Sequence, residues 1–553
     1  MLLELSGTSV LVALLSWLFL WNRRIPGLGD RTPHVQLDRA TLLGRANGSI
    51  ESFLGIPYAQ PPVGDLRLRL PQPIDSYNGT VDATTFGNQC MQQTFAMGDP
   101  SKLPTELLQD LGQYLGRFAI HPDVPQSEDC LNLNIIRPAN LPADAKLPIL
   151  FWIYGGAFAV GSNATPLHNG TAIVQRSIDL GEPVIYVAVN YRVNIFGFLG
   201  GSKVKEAGVG NLGLHDQRAA LHWVHKHIST FGGDPDKITI WGESAGSISV
   251  FFHLFANGGD PQGLFRAGIM SSGSAPCTGD IASVQETYDF VVDEVGCSGA
   301  TDTLACLRTV STDSLLAAAN KTPPKGITPP FVPLTDGDFI QDLPQQLVRR
   351  GKMADVPFII GNVKDEGVLF ALDSFNITTD DELVSYISQK SFPGASAADL
   401  GKLLQLYPAD PAAGSPFDTG SAYAYTPQYK RINALQGDWF FVAPRRLLLE
   451  RFSSTHTAYN FLSARVNVST LGYPHAHDLL FAFAPDDMTD YFIRFVNTLD
   501  PNADTGVQWP RYDTTARATL KFGDGNVPLS IIVDDERLAG MRELSALSLR
   551  FPA

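Results

Sequence analysis

Short apolar runs recur along the chain from residue 148 onward, and each is typical of a buried strand. They cover Pro148–Tyr154, Pro183–Val189, Ile238–Trp241, Ala267–Met270, Val356–Ile360 and Tyr459–Leu462. Helical patterns lie between some of them, amphipathic over Asn211–Phe231 and largely apolar over Ala245–Ala256. This alternation predicts an α/β fold, with a mostly parallel central sheet and helices on both faces. No repeat, low-complexity linker or change in composition divides residues 30–553, so we predict one large domain there.

A further helical pattern lies within residues 91–129. Its apolar side chains recur at helical spacing and are opposed by polar ones: Leu103, Leu107, Leu108, Leu111, Leu115 and Phe118 against Glu106, Gln109, Asp110 and Gln113. Gly112 and Gly116 weaken such a helix by roughly 1 kcal/mol each. Two interpretations remain open, a surface helix tied down by a disulfide or a movable lid whose apolar face covers a site.

The N-terminal segment differs from the rest of the chain. Residues 5–22 carry no charge, and Val10–Trp21 is almost purely apolar. This core is short for a membrane span and has the length of a signal-peptide core. The acidic Glu4 and the poor cleavage site at residues 27–29 argue that the segment is not cleaved. We predict that residues 1–29 are a signal peptide, or else an uncleaved signal anchor, and that the remainder is translocated.

Composition narrows the classes of partner. The formal net charge is −15, with 44% hydrophobic and 18% charged residues. Those fractions describe a globular protein with an ample core. The acidic balance argues against nucleic acid or an anionic surface as partner. It suits a soluble protein that acts on neutral molecules.

Cysteines and sequons agree with a translocated protein. None of the five cysteines has the C-x-x-C spacing of a zinc or redox site. Cys297 and Cys306 are near enough in sequence to close a small surface loop, Cys90 and Cys130 bracket residues 91–129, and Cys277 is the candidate for the odd thiol. Seven N-x-S/T sequons are candidate glycosylation sites: Asn47, Asn78, Asn163, Asn169, Asn320, Asn376 and Asn467.

The strongest chemical signal is Gly242-x-Ser244-x-Gly246, the only G-x-S-x-G in the chain. It lies between the predicted strand Ile238–Trp241 and the predicted helix that begins at Ala245. A serine on such a strand-to-helix turn projects its hydroxyl clear of the sheet, and the flanking glycines allow close packing. The N-terminus of the helix favours negative charge nearby. Ser244 is therefore predicted to be a nucleophile.

A nucleophilic serine needs a base, an acid that orients the base, and donors for the oxyanion. Later strands of such sheets supply the acid and then the base from their carboxyl ends. Asp365 and Glu366 follow one strand, and His475 and His477 follow the last one, so both choices remain open on these grounds. Upstream, the small residues in 154–158 follow another strand and leave N–H groups free to face an oxyanion.

These segments resemble the type-B carboxylesterases, the cholinesterase-like α/β-hydrolases, and in particular their secreted fungal lipase and sterol esterase branch. The resemblance spans roughly residues 34–530. It is carried by Gly55–Gly64, Cys90-Met91-Gln92-Gln93, Glu128–Asn134, Asn190-Tyr191-Arg192, Phe231–Gly246, Asp365-Glu366-Gly367 and His475-x-x-Asp478.

The resemblance implies an α/β-hydrolase fold with a disulfide-anchored lid over about residues 91–129. It further implies Ser244 as nucleophile, Glu366 rather than Asp365 as acid, and His475 rather than His477 as base. Oxyanion donors and disulfides are also implied: the N–H groups of Gly156, Ala157 and Ala245, and the pairs Cys90–Cys130 and Cys297–Cys306. Ala157 stands where the family usually has a third glycine, and its methyl group bears on substrate fit rather than on catalysis.

The expected protein is thus a secreted carboxylic-ester hydrolase that works through an acyl-enzyme, without metal or cofactor. A lid favours water-insoluble esters, such as acylglycerols or sterol esters, and a lipid–water interface as the place of action. Three alternatives remain: an esterase restricted to short soluble esters, a non-catalytic adhesion protein of the same fold, and a peptidase. The adhesion proteins have lost triad residues, whereas this chain keeps all three. The peptidases usually have aspartate as the acid and lack the Cys90-type lid.

Overall fold

The computed structural model describes residues 32–94, 99–324 and 328–552. The predicted signal peptide or signal anchor over residues 1–29 lies outside these ranges, as do residues 95–98 of the predicted lid. Within the described ranges, no helix combines the length and the apolar character needed to cross a membrane.

The strands form one large sheet and one small sheet. In chain order they are β1 His34–Leu37, β2 Arg39–Leu43, β3 Arg45–Asn47, β4 Ile50–Pro57, β5 Asn78–Asp82, β6 Asn132–Pro138, β7 Leu147–Ile153, β8 Ile185–Val189, β9 Gly233–Glu243, β10 Ala267–Ser271, β11 Phe358–Val363, β12 Ala458–Ala464, β13 Ala518–Gly523 and β14 Leu529–Val533. The large sheet has eleven strands in the order β14-β13-β12-β11-β10-β9-β7-β8-β6-β4-β3, and β1-β2-β5 form the small one.

The centre of the large sheet is parallel, and its edges are antiparallel. Strands β8, β7, β9, β10, β11, β12 and β13 pair in parallel. Strands β6, β4 and β3 on one side and β14 on the other pair antiparallel. Each of the six predicted strands is present within a few residues of its predicted bounds, so the expected α/β class with a mostly parallel sheet is confirmed.

The α-helices accompany these strands. They are α1 Thr105–Gly116, α2 Thr171–Asp179, α3 Asn194–Phe198, α4 Ser202–Glu206, α5 Leu212–His227, α6 Ala245–Phe255, α7 Gln285–Glu294, α8 Thr303–Thr309, α9 Thr312–Lys321, α10 Pro344–Arg350, α11 Asp380–Lys390, α12 Ala397–Leu406, α13 Tyr429–Gly437, α14 Ala443–Phe452, α15 Leu479–Ala482, α16 Asp487–Thr498 and α17 Leu538–Arg550. A π-helical turn, Asp438–Val442, joins α13 to α14.

Strand β9 carries the predicted nucleophile and lies between β7 and β10 in the middle of the sheet. Because both faces of a parallel sheet are covered, its last six residues are all buried. Beneath the strand end, the rings of Trp152, Trp241 and Phe483 pack together, with centroids 4.4 to 5.0 Å apart. This aromatic cluster gives the turn at Ser244 a rigid base.

Both disulfides that the resemblance implies are present. Cys90 pairs with Cys130 at the two ends of the segment that contains α1, and Cys297 pairs with Cys306. Cys277 is buried. In the chain-entropy model, the larger loop contributes about 4 kcal/mol and the smaller about 3 kcal/mol to the free energy of unfolding.

Helix α1 packs its inner face on the loops that follow β11 and β12. Its residues Leu107, Leu111 and Tyr114 belong to one apolar cluster with Leu369 and Leu471. Leu108 and Leu115 point away from that cluster and are 41% and 37% exposed. The leucine pattern is therefore wider than the buried face of the helix, which divides it into an inner and an outer set.

Candidate active site

Ser244 lies on a tight turn between β9 and α6. Its φ and ψ are 54° and −121°, outside the ordinary regions for a non-glycine residue. The turn brings backbone into close contact: a Cβ on Gly242 would lie 2.2 Å from Gly246, and one on Gly246 would lie 2.0 Å from the carbonyl oxygen of Ile153. Only glycine fits at these two positions. The strained turn raises the Ser244 side chain above the strand end, as the sequence pattern predicts.

The segment after β7 faces Ser244. A Cβ on Gly155 would lie 3.0 Å from the Cβ of Ser244, which shows how closely the two pass. Ala157 and Phe158 have φ of +55° and +59°, so the chain curls there. Among the described residues, no recorded hydrogen bond uses the N–H of Gly156 or Ala157. The N–H of Ala245 begins α6 and has no partner inside that helix. These three donors are thus available together.

Glu366 follows β11 and is almost completely buried. Its Oε1 accepts hydrogen bonds from the side-chain amide of Asn362 at 2.8 Å and from the N–H of Val363 at 3.0 Å. Its Oε2 lies 2.6 Å from Nδ1 of His475. A carboxylate held in this way fixes the orientation of the imidazole and stabilises its charged form.

The ring of His475 is clamped by two phenylalanines as well as by Glu366. The ring centroid lies 4.4 Å from that of Phe441 and 5.2 Å from that of Phe370. Nε2 has no hydrogen-bond partner among the described residues, and its nearest recorded polar neighbour is Oε1 of Glu243 at 3.2 Å. Ser244 and His475 line the same cavity. Nε2 is therefore available to accept a proton there.

The other two candidates face elsewhere. Asp365 accepts hydrogen bonds from the hydroxyl of Ser415 and from the N–H groups of Phe417 and Tyr473. The ring nitrogen Nε2 of His477 bonds the carbonyl oxygen of Val466 at 2.6 Å. Both residues thus tie loops together around the site, whereas Glu366 and His475 contact one another.

Two further buried carboxyl groups, those of Glu243 and Asp478, lie close in sequence to Ser244 and His475, and the sequence analysis assigned them no role. Burial, followed by the charges of Asp478 and Glu366, raises the pKa of Glu243 well above its ordinary value. Burial, followed by the charge of Glu366, raises the pKa of Asp478 to about 7. Of the carboxyl groups near His475, Glu366 is the one whose oxygen contacts Nδ1. Glu243 and Asp478 could have been noticed in the sequence because they lie in the same motifs as Ser244 and His475. The sequence does not give the distances between these side chains.

A cavity of about 470 Å³ opens above Ser244. Its walls are mainly apolar and come from α1, the segment 328–333, the loop after β11 and the π-helical turn: examples are Leu115, Phe118, Val332, Leu369 and Phe440. The volume falls within the range of small-ligand sites. Helix α1 forms one wall, so any movement of this helix would change the cavity.

The sequons differ in accessibility. Asn163 is only 4% exposed, and its amide donates hydrogen bonds to both oxygens of Asn132. The other six are exposed: Asn47, Asn78, Asn169, Asn320, Asn376 and Asn467. A glycan at Asn163 would require this buried amide to leave both partners.

Comparisons with known proteins agree on one family. The profile of the "Carboxylesterase family" matches residues 31–539. The chain is 43% identical to "Lipase 4" of Diutina rugosa over 85% of this chain and 87% of that protein. It is 42% identical to "Secreted lipase 1" of Botryotinia fuckeliana over 86% and 87%. It is 39% identical to "Secreted triacylglycerol lipase LIP1" of Gibberella zeae over 93% and 90%.

A comparison with a solved structure also supports the fold. Aspergillus niger EstA superposes with a TM-score of 0.79 at 28% identity, covering 94% of this chain and 99% of that chain. The expected resemblance and the expected α/β-hydrolase architecture are thereby confirmed.

Proposed function

Because this chain belongs to the carboxylesterase family and is a carboxylic-ester hydrolase, we propose that Ser244, Glu366 and His475 form its catalytic triad. The observation that carries the proposal is the 2.6 Å contact between Glu366 and Nδ1 of His475, on a histidine whose Nε2 is left for the cavity. The strained turn at Ser244 supports the role of that residue.

The proposed reaction proceeds through an acyl-enzyme. Nε2 of His475 takes the proton from Ser244 as Oγ attacks the ester carbonyl, and Glu366 stabilises the imidazolium that forms. His475 then gives this proton to the leaving alcohol as the carbon–oxygen bond breaks. Water enters, loses a proton to His475 and attacks the acyl carbonyl, so that the carboxylic acid leaves and the Ser244 hydroxyl is restored.

The proposed oxyanion hole consists of the N–H groups of Gly156, Ala157 and Ala245. Its support is that the recorded hydrogen bonds leave the first two unused, and that Ala245 begins a helix whose dipole favours negative charge. Preorganised donors of this kind stabilise charge that develops only in the transition state, which raises kcat rather than substrate affinity.

The proposed substrates are lipid-like esters, either acylglycerols or sterol esters. The mainly apolar lining of the 470 Å³ cavity supports this class, because it would remove the acyl chain from water. The lipase names of the relatives support it as well. We place the reaction at a lipid–water interface outside the cell, in keeping with the two relatives named as secreted.

The test combines one variant with a graded substrate series. Ser244→Ala should fold normally and lose on the order of 10⁶ in kcat, as in other triad hydrolases. A fluorophosphonate probe should label the wild type at Ser244 alone, and labelling at a different serine would overturn the assignment. Wild-type rates on p-nitrophenyl esters of rising chain length, triolein and cholesteryl oleate then separate lipid esters from short soluble ones.

A further inference from the structure

Tyr114, on helix α1, is bonded directly to the backbone of the proposed base. Its hydroxyl donates a hydrogen bond to the carbonyl oxygen of His475 at 2.5 Å. No other recorded hydrogen bond in residues 32–94, 99–324 and 328–552 reaches that oxygen. Tyr114 is buried, and its ring packs against that of His477 with centroids 5.7 Å apart. Burial raises the pKa of the phenol well above its ordinary value, so the hydroxyl remains a donor.

The peptide that Tyr114 holds is a strained one. It joins His475 to Ala476, whose φ of +70° lies in the left-handed region. A residue with a Cβ is unfavourable there and persists only where the surrounding structure fixes it. Glu366 holds the ring of His475, and Tyr114 holds its carbonyl group. Two elements far apart in sequence therefore hold the same residue, one through its ring and the other through its backbone.

A second contact attaches the same face of α1 to the same loop. Asp110 precedes Tyr114 by four residues, a spacing that places both on one face of the helix. Its carboxylate accepts hydrogen bonds from the N–H and the hydroxyl of Thr470, at 3.0 and 2.8 Å. Thr470 lies five positions before His475. Helix α1 is thus bonded at two points to the loop that carries the base.

We propose that Tyr114 is a positioning residue for ester hydrolysis, which fixes the His475 peptide and through it the direction of Nε2. The inference rests on the proposed triad. Without the hydroxyl, His475 would spend more time in orientations from which proton transfer is slow, while substrate would bind as before. In the described conformation, the position of α1 and the alignment of the base are therefore coupled through this hydrogen bond.

The test is Tyr114→Phe, which keeps the ring and removes only the donor. We expect kcat on p-nitrophenyl butyrate to fall about tenfold, while KM stays within about twofold of the wild-type value. Loss of one neutral hydrogen bond that acts in the chemical step changes the rate by roughly this factor. Labelling by a fluorophosphonate should slow by a similar factor. The melting temperature should change little, and a large fall with unchanged kcat would indicate a merely structural role.

Tyr425→Phe is the matched control. The Tyr425 hydroxyl lies 3.3 Å from Oε1 of Glu106, at the other end of α1, and its loss weakens the helix attachment without touching His475. This variant should keep kcat within about twofold of wild type. Equal losses in both variants, or an unchanged kcat in Tyr114→Phe, would overturn the inference. Turnover by the wild type tests the proposed function separately, since it does not depend on the comparison.

Discussion

At the scale of single residues, two adjacent carboxylates of the site have different hydrogen-bond partners and therefore different roles. Asp365 and Glu366 are adjacent and buried, yet Glu366 bonds His475 while Asp365 bonds Ser415 and two backbone N–H groups. Both residues lie beyond the end of β11 at Val363, where Asp365 forms an isolated bridge with Pro474 and Glu366 begins a 3-10 turn. The same sequence pattern thus contains one carboxylate suited to orienting a base and one that holds loops together.

Paired substitutions should separate these roles. We expect Glu366→Gln and His475→Ala to lose at least about 10⁴ in kcat, because each removes a member of the proposed triad. Asp365→Asn and His477→Ala should keep substantial activity and mainly lower the melting temperature, because their hydrogen bonds are to loops. Steady-state kinetics and thermal unfolding of all four variants provide the measurement. An inactive but folded His477→Ala would show that the wrong histidine has been assigned.

Asp478 should make stability depend on pH. In the folded protein its pKa is about 7, against an ordinary value of 3.8, so unfolding releases its proton between these values. Stability therefore falls as pH rises through this window, and the penalty is fully present above about pH 7. Asp478→Asn should remove it, so that its stability relative to wild type rises from pH 4 to pH 8 by up to about 4 kcal/mol.

Urea unfolding of both proteins at pH 4 and pH 8 measures this difference. Glu243→Gln is a useful companion, because burial raises the pKa of that carboxyl as well and the trend should have the same sign. A constant difference between Asp478→Asn and wild type at the two pH values would contradict the expected window.

Sequence reasoning reached Ser244 and its candidate partners because each follows an apolar strand at a defined place in the motif. It could not reach Glu243 or Tyr114 as neighbours of His475. Their proximity depends on how β9, α1 and the loop after β12 meet in space, and these segments are separated by more than a hundred residues. The motifs identify the candidate catalytic residues, whereas the distances between side chains depend on tertiary packing.

At the scale of elements, α1 is the part of the molecule whose behaviour matters most for the substrate. Its inner leucines pack on the loops of the proposed acid and base, its outer Leu108 faces solvent, and the partly exposed Leu115 also lines the cavity. The disulfide Cys90–Cys130 holds the ends of the segment without fixing its middle. We therefore keep the lid over about residues 91–129 as a proposal, in which the outer leucines meet the lipid surface.

Two adjacent leucines provide a matched test of the lid. Leu108→Ser removes an exposed side chain and should lower hydrolysis of emulsified triolein about fivefold, because the apolar contact with the lipid is lost. Hydrolysis of p-nitrophenyl butyrate should stay within about twofold. Leu107→Ser, one residue earlier and fully buried, should lower both activities and destabilise the protein by about 2–5 kcal/mol. Equal effects of Leu108→Ser on both substrates would contradict the lid.

The apolar runs predicted the parallel strands well, because buried parallel strands are apolar on both faces. In the large sheet, the antiparallel strands β3, β4, β6 and β14 and the parallel strand β13 were not identified as strands. Strand β14, for example, lies at the edge of the sheet and has no fully buried residue, and Ser530 interrupts its apolar side chains. The helical pattern of α1 was correct, but the pattern alone could not tell which of its leucines are buried.

At the scale of the whole molecule, the seven sequons differ in exposure. Six sequons are exposed and spread over the chain, whereas Asn163 is buried with its amide bonded to Asn132. Oligosaccharide transfer needs an accessible asparagine. We therefore propose that glycans occur among the six exposed sites and not at Asn163.

Single substitutions in a glycosylating host should show this. Asn163→Gln should leave the glycan mass unchanged and lower the melting temperature, because two buried hydrogen bonds are lost. Asn467→Gln, at an exposed sequon in a surface loop, should lower the mass by one glycan with little effect on unfolding. Mass spectrometry before and after enzymatic deglycosylation measures both, and a glycan on Asn163 would contradict the expectation.

The aromatic cluster beneath Ser244 has an optical consequence. The indoles of Trp152 and Trp241 lie 4.4 Å apart and are inclined at 61°, so their electronic transitions couple. Coupled chromophores in a fixed chiral arrangement give paired circular dichroism bands of opposite sign, which vanish when the geometry is lost. Because Trp241 is three residues from Ser244, such a signal would report whether the elbow keeps its native geometry in every variant, without substrate or label.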